Sequence, residues 1–191
     1  MRECLGVAGF VLVGGQSRRM GRDKALLTGL GGTLVAQVAL QVREAASTVT
    51  LLGDPAKYGY LGFPVVADVV TGCGPMAGLH AALLAIEATD AERVLIVACD
   101  LPNVDAAFLK RLLDHRQARC VAARSDRGLE PLCAVYHRNT LAEVDAAVRD
   151  GRLRMRDLVA QLSGIGVEVD PRLVRNVNTE EDWQMHLTEN K

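Results

Sequence analysis

Five consecutive aliphatic residues, Val94-Leu95-Ile96-Val97-Ala98, stop abruptly at Cys99-Asp100-Leu101-Pro102. A strand without polar alternation has both faces covered, as in parallel sheets sandwiched between helices. Shorter apolar runs repeat the pattern. Val7–Val13, Val49–Leu52, Val65–Ala67, Cys120–Ala123 and Leu132–His137 read as strands, with Val167–Val169 and Val174–Val177 as late ones. Between them, Leu34, Val35, Val38, Ala39, Val42 and Ala45 have helical spacing, and a helix capped by Asp105 runs to about His115. Gly78–Ala88, Leu141–Val148, Met155–Leu162 and Glu180–His186 complete the helices. This alternation predicts an α/β fold: a doubly wound, mostly parallel sheet with helices on both faces. Ligands of such sheets bind beyond the carboxyl ends of the strands.

Two segments fall at that edge. The first is Phe10-Val11-Leu12-Val13-Gly14-Gly15-Gln16-Ser17-Arg18-Arg19-Met20-Gly21-Arg22-Asp23-Lys24, an apolar strand entering a cationic, glycine-rich loop. Gly14 and Gly15 let backbone N–H groups approach phosphate oxygens, and Arg18, Arg19, Arg22 and Lys24 supply neutralising charge. The loop is not a P-loop: Gly15 and Gly21 are one residue too far apart, Lys24 stands three after Gly21, and Ala25 occupies the hydroxyl position. A dinucleotide G-x-G-x-x-G is absent too. The second segment is Asp100, a carboxylate at the end of the most buried strand, within reach of a Mg²⁺ carried by a triphosphate in the loop. Its competing role, capping the next helix, suits Asp105 better. Cys99 reads as packing, because no histidine or second thiol is near in sequence.

Composition narrows the function classes. At 191 residues, 49% hydrophobic and 24% charged, residues 1–191 are expected to form one domain with a substantial core. A net charge of −1 gives no bulk attraction to nucleic acid or an anionic membrane, so the cations act locally. No apolar run reaches the roughly 18 residues of a membrane span, and Met1-Arg2-Glu3-Cys4 lacks signal-peptide character, so a cytoplasmic location is expected. Five cysteines without C-x-x-C spacing read as reduced, mostly core thiols. His80, His115, His137 and His186 have no ligand spacing.

The loop pattern G-G-x-S-x-R-M-G-x-D-K resembles that of nucleotidyltransferases that activate sugars, alcohols and cofactors. Within that superfamily, Arg18-Arg19-Met20-Gly21 and Asp23-Lys24-Ala25 are similar to the molybdenum cofactor guanylyltransferases, as is the A-C-D-L-P stretch around Asp100. Val66-Ala67-Asp68, the Gly74-Pro75-Met76-Ala77-Gly78 turn and Arg175-Asn176-Val177-Asn178-Thr179-Glu180-Glu181-Asp182 extend the resemblance from about Gly9 to Trp183. Asn178-Thr179 also reads as a helix N-cap with Asp182 in the first turn.

The resemblance implies transfer of GMP from GTP to the terminal phosphate of molybdopterin or Mo-molybdopterin, with pyrophosphate leaving. It assigns phosphate binding to Lys24 and Arg19, backbone donation to Gly14 and Gly15, and Mg²⁺ to Asp100 and Asn178. Base reading falls to Leu12 and Val13 with Asp54 or Asp68, since guanine offers donors at N1 and N2. Molybdenum-insertion or carrier proteins are the implied protein partners; nucleic acid and membrane are not. The chain departs from the family at Leu52-Gly53-Asp54, where relatives often carry an asparagine after the second strand. A cytidylyltransferase forming the cytosine dinucleotide cofactor, or a sugar nucleotidyltransferase, stays open as an alternative. Intact Lys24 and Asp100 argue against a non-catalytic nucleotide sensor. Arg127 to Leu132, including Glu130, matches loosely, and Arg152, Arg154 and Arg156 read either as an acceptor-phosphate cluster or as a solvated basic turn.

Overall fold

The computed structural model describes residues 6–13, 23–29, 31–67, 70 and 72–189. In chain order the elements are β1 (Val7–Leu12), a short ribbon of β2 (Thr28–Gly29) and β3 (Gly32–Thr33), α1 (Leu34–Ala46), β4 (Thr50–Leu52), α2 (Pro55–Tyr58), β5 (Val65–Val66) and α3 (Pro75–Ala85). There follow β6 (Arg93–Ala98), α4 (Ala106–Leu113), β7 (Cys120–Ser125), β8 (Gly128–His137), α5 (Leu141–Arg149), α6 (Met155–Gln161), β9 (Ile165–Glu168) and α7 (Glu180–Glu189).

The main sheet has the order β5-β4-β1-β6-β8-β7-β9. β1 pairs in parallel with β4 and β6, β4 with β5, and β7 with β9; β8 runs antiparallel to both β6 and β7. The sheet is thus mostly parallel, as its apolar runs predict. All six residues of β6 are buried: Leu95 and Val97 enter one core with α1 and α4, while Val94 and Ile96 enter the other with α3, α5 and α6. That two-sided burial is why no polar alternation survives in its sequence. The chain builds outward from β1 through β4 to β5, then crosses back over α3 to lay β6 on β1's other side. β1 and β6 therefore flank the point where the winding reverses, and the crevice beyond their carboxyl ends is where this architecture binds ligands.

Local chemistry sets the helix starts. Thr33 Oγ1 accepts from Ala36 N to cap α1, and Asp105 Oδ1 accepts from Phe108 N to cap α4, leaving Asp100 outside that role. Cys99, Cys120 and Cys133 are buried and Cys73 is partly exposed; Cys4 lies outside the described residues. Burial pushes the thiols of Cys120 and Cys133 up to about 12. One expected strand is not formed. Val174–Val177 is irregular: Val174 packs in the α1/α4 core, Val177 packs with Leu27, Leu34 and Trp183, and its N–H donates to Asp100 O at 2.8 Å. Its two valines, three residues apart, serve two separate clusters and make no ladder.

Candidate active site

At the reversal point, the ends of β1 and β6 are stitched to their surroundings. Val13 N donates to Leu52 O and Cys99 N to Leu12 O, both at 3.0 Å. Beyond these bonds lies a pocket of about 290 Å³ lined by Leu12, Val13, Lys24, Leu52, Gly74, Pro75, Ala98, Cys99, Asp100 and Leu132. Its walls are apolar and two charged side chains converge at its rim. A Cβ on Gly78, in the buried face of α3, would collide with Leu12 Cδ2, so glycine there lets the helix close against the pocket wall.

Lys24 Nζ donates to Asp100 Oδ2 at 2.7 Å and to Asn178 Oδ1 at 3.1 Å. The lysine and the carboxylate are only 16% and 15% exposed, so their attraction is less screened than that of a surface pair. Asp100 Oδ1 is buried and has no hydrogen-bond partner among the described residues. A buried carboxylate oxygen left without a donor carries a desolvation cost, and such atoms call for a ligand or ion.

Asn178 arrives from the other end of the chain. Thr179 Oγ1 accepts from Asp182 N at 3.1 Å, while Asp182 Oδ2 accepts from Thr179 N and Asn178 N at 2.9 Å each. This reciprocal cap starts α7, and the bond from Asn178 N, ahead of those from Thr179, draws the Asp182 carboxyl below its ordinary range. Capping and site presentation thus coexist: the backbone of Asn178 is fixed by the cap and its side-chain carbonyl faces Lys24. Leu27, Leu34, Val177 and Trp183, with Leu187 against them, clamp α7 to the segment that follows Lys24.

Of the residues expected from sequence, Leu12, Val13, Lys24, Asp100 and Asn178 come together here. Arg19, Gly14, Gly15 and Asp68 lie outside the described residues. Asp54 is exposed beyond β4, and its Oδ1 accepts from Ala56 N to cap α2. Arg152 turns to Asp150 and Gln161, Arg156 donates to the carbonyl of Arg127, and Arg154 is exposed. Sequence reasoning missed Tyr58 and Lys57. Tyr58 Oη donates to Asp23 Oδ2 at 2.7 Å, and Lys57 Nζ lies 2.6 Å from the same oxygen.

Comparison with known proteins gives the chain a family and a fold. Residues 9–165 match the MobA-like NTP transferase domain. The chain is 37% identical over 159 residues, 82% of its own length and 79% of the relative's, to a probable molybdenum cofactor guanylyltransferase of Opitutus terrae. It is 34% identical over 179 residues, 92% of each chain, to the molybdenum cofactor guanylyltransferase of Rhodobacter capsulatus. Its fold is shared with the crystal structure of molybdopterin-guanine dinucleotide biosynthesis protein A from Archaeoglobus fulgidus, with a TM-score of 0.78 and 21% identity over 96% of this chain and 100% of that one. With its glycine-rich sequence motif, its α/β order and its matched span in agreement, the chain belongs to the MobA-like NTP transferase family.

Proposed function

We propose that this protein transfers GMP from GTP to the terminal phosphate of molybdopterin, with or without bound molybdenum, and releases pyrophosphate. An acceptor phosphate oxygen forms a new bond to the α-phosphorus as the bond from that phosphorus to the β-phosphate bridging oxygen breaks. The observation that carries this reading is the Lys24–Asp100–Asn178 cluster, with its buried and unpartnered Asp100 oxygen, at the mouth of an apolar pocket. The names of the relatives supply the guanylyl donor and the cofactor acceptor.

The residues fit a divalent cation. No cluster of three or more histidine, cysteine, aspartate or glutamate ligands exists among the described residues. One carboxylate and one amide oxygen instead form the sparse donor set that Mg²⁺ completes with substrate phosphates and water. Asp100 and Asn178 would hold it, and when bound it neutralises charge on the triphosphate. Lys24 exchanges its internal carboxylate partner for the phosphates and stabilises the charge that builds on the departing pyrophosphate. Arg19, in the loop, has the chemistry to share that task, and Gly14 and Gly15 to donate N–H groups. The apolar walls restrict water, which limits hydrolysis of the activated phosphate. No side-chain nucleophile is needed, because positioning and charge stabilisation carry phosphoryl-type transfer. Base selection rests on Leu12 and Val13 with Asp54 or Asp68 as acceptors for guanine N1 and N2 donors.

The test is protection from thermal unfolding by each nucleoside triphosphate with Mg²⁺. GTP at 100 times its dissociation constant adds about 2.7 kcal/mol of stability. Losing the paired donors costs a competing base roughly 1–3 kcal/mol, so CTP, UTP and ATP should protect less. Equal or better protection by CTP would replace the guanylyl assignment with a cytidylyl one.

A further inference from the structure

Lys24 is aimed by the residue before it. Asp23 caps the short 3₁₀ turn Lys24–Leu26: its Oδ1 accepts from Ala25 N at 3.0 Å and its backbone carbonyl from Leu26 N at 3.1 Å. The carboxylate's second oxygen is bound from outside, by the Tyr58 hydroxyl at 2.7 Å and the Lys57 ammonium at 2.6 Å. Both donors sit on α2, whose start is fixed by Asp54 through Ala56 N. Tyr58 is 2% exposed, and its ring closes on a glycine: a Cβ on Gly53 would stand 2.6 Å from Val13 O and 3.1 Å from Tyr58 Cε2. The hydroxyl therefore has little freedom. A continuous set of bonds runs from the turn after β4 to the backbone turn that carries Lys24.

We propose that Tyr58 and Lys57, acting through Asp23, are positioning residues that hold Lys24 in register for the triphosphate. Burial works against the Asp23 carboxylate, but the bonds from Lys57, Tyr58 and Ala25 outweigh it and draw its pKa below the ordinary range. Burial and the same bond push the Tyr58 phenol up, so the hydroxyl keeps its proton and stays a donor. Tyr58 touches no reacting atom. Its contribution requires Lys24, and that dependence separates positioning from general stability.

The inference rests on the reading of Lys24 as a phosphate anchor, and not on the identity of the base. The test accordingly uses inorganic tripolyphosphate with Mg²⁺, followed through the fluorescence of the only tryptophan, Trp183, which packs in the cluster flanking Lys24's turn. Tyr58→Phe is expected to weaken tripolyphosphate binding by roughly five- to tenfold, the upper end of the scale of one ordinary hydrogen bond. In a Lys24→Ala background the same change should alter binding less than about twofold, because coupled residues are non-additive. Lys57→Met, at a half-exposed position, should show the same dependence on Lys24 and keeps the test available if Tyr58→Phe does not fold. Equal losses in both backgrounds, or no loss with Lys24 present, would overturn the proposal. Wild-type protein that fails to bind tripolyphosphate would overturn the anchor and the proposal together. Tight tripolyphosphate binding with a preference for CTP would overturn only the guanylyl reading.

Discussion

The two halves of the seven-stranded sheet treat their polar groups in opposite ways. In the distal half, around β8, β7 and β9, polar donors are closed onto nearby acceptors. Arg119 binds Asn139 and Glu143, Arg127 binds the Val174 carbonyl, and Ser125 binds Glu130. In the parallel half, the Asp100 carboxylate keeps one oxygen buried without a donor beside a lysine of its own. The first arrangement holds a structure together; the second suits the ligand-binding role proposed for it. An orphaned atom is insufficient by itself, since His80 Nδ1 is also unpartnered among the described residues yet does not line the pocket. What marks Asp100 is the coincidence of an orphaned oxygen, a paired cation, a cavity and the reversal of the sheet winding.

Asp100→Asn attacks the comparison at its strongest point. It keeps the side-chain size and removes the charge, and it is expected to lower metal-dependent turnover roughly 10³-fold or more with little change in fold. Pyrophosphate release across a Mg²⁺ titration checks this, and a normal metal response would disqualify Asp100. Lys24→Ala should cost about 2–4 kcal/mol of transition-state stabilisation and weaken triphosphate binding, read as kcat/KM and dissociation constant. Gly78→Ala sharpens the role of the pocket wall. Its Cβ would drive Leu12 into the cavity, so nucleotide KM should rise and stability fall by about 1–3 kcal/mol, the range for overpacking.

The smallest effect belongs to the distal half. Arg119→Met removes a partly exposed pair and should cost less than about 1 kcal/mol while leaving nucleotide binding unchanged. The bond from Arg119 holds the Glu143 carboxyl below its ordinary range. A depressed acid stabilises the fold above its unfolded pKa, about 4.3, and the benefit disappears as pH falls through the lower folded value. The difference in stability between wild type and variant should therefore be present at neutral pH and vanish in acid. A difference that grows on acidification would break this account of the distal half.

The legible parts of the molecule were those in which one segment carries its own meaning. Val94–Ala98 states two-sided burial within five residues, and the glycine-rich stretch ending at Lys24 announces phosphate chemistry by composition. Asn178 was readable only through the family resemblance of residues 175–182, whereas the cap made by Thr179 with Asp182 is a local signal. The Tyr58–Asp23 bond joins residues 35 positions apart, and neither carries a periodic or motif signal for the other. The antiparallel placing of β8 between β6 and β7 was hidden for the same reason, since Leu132–His137 carries no signal for its neighbours. Val174–Val177 misled because β-branched residues at both ends of a short run suit a strand, yet here they anchor an irregular segment to two different clusters. Asp54 carries the chemistry of a base reader and the position of a helix cap; its Oδ1 is engaged in the cap.

In the proposed reaction, the edge of the parallel half directs attack to the α-phosphorus of a guanine nucleotide. Isotope tracing measures that directly, by incubating the protein with molybdopterin, Mg²⁺ and GTP labelled at either the α- or the γ-phosphate. The account predicts the α-label in the molybdopterin product and the γ-label in pyrophosphate, in equal amounts. Release of the γ-label as orthophosphate, or its transfer to molybdopterin, would contradict it.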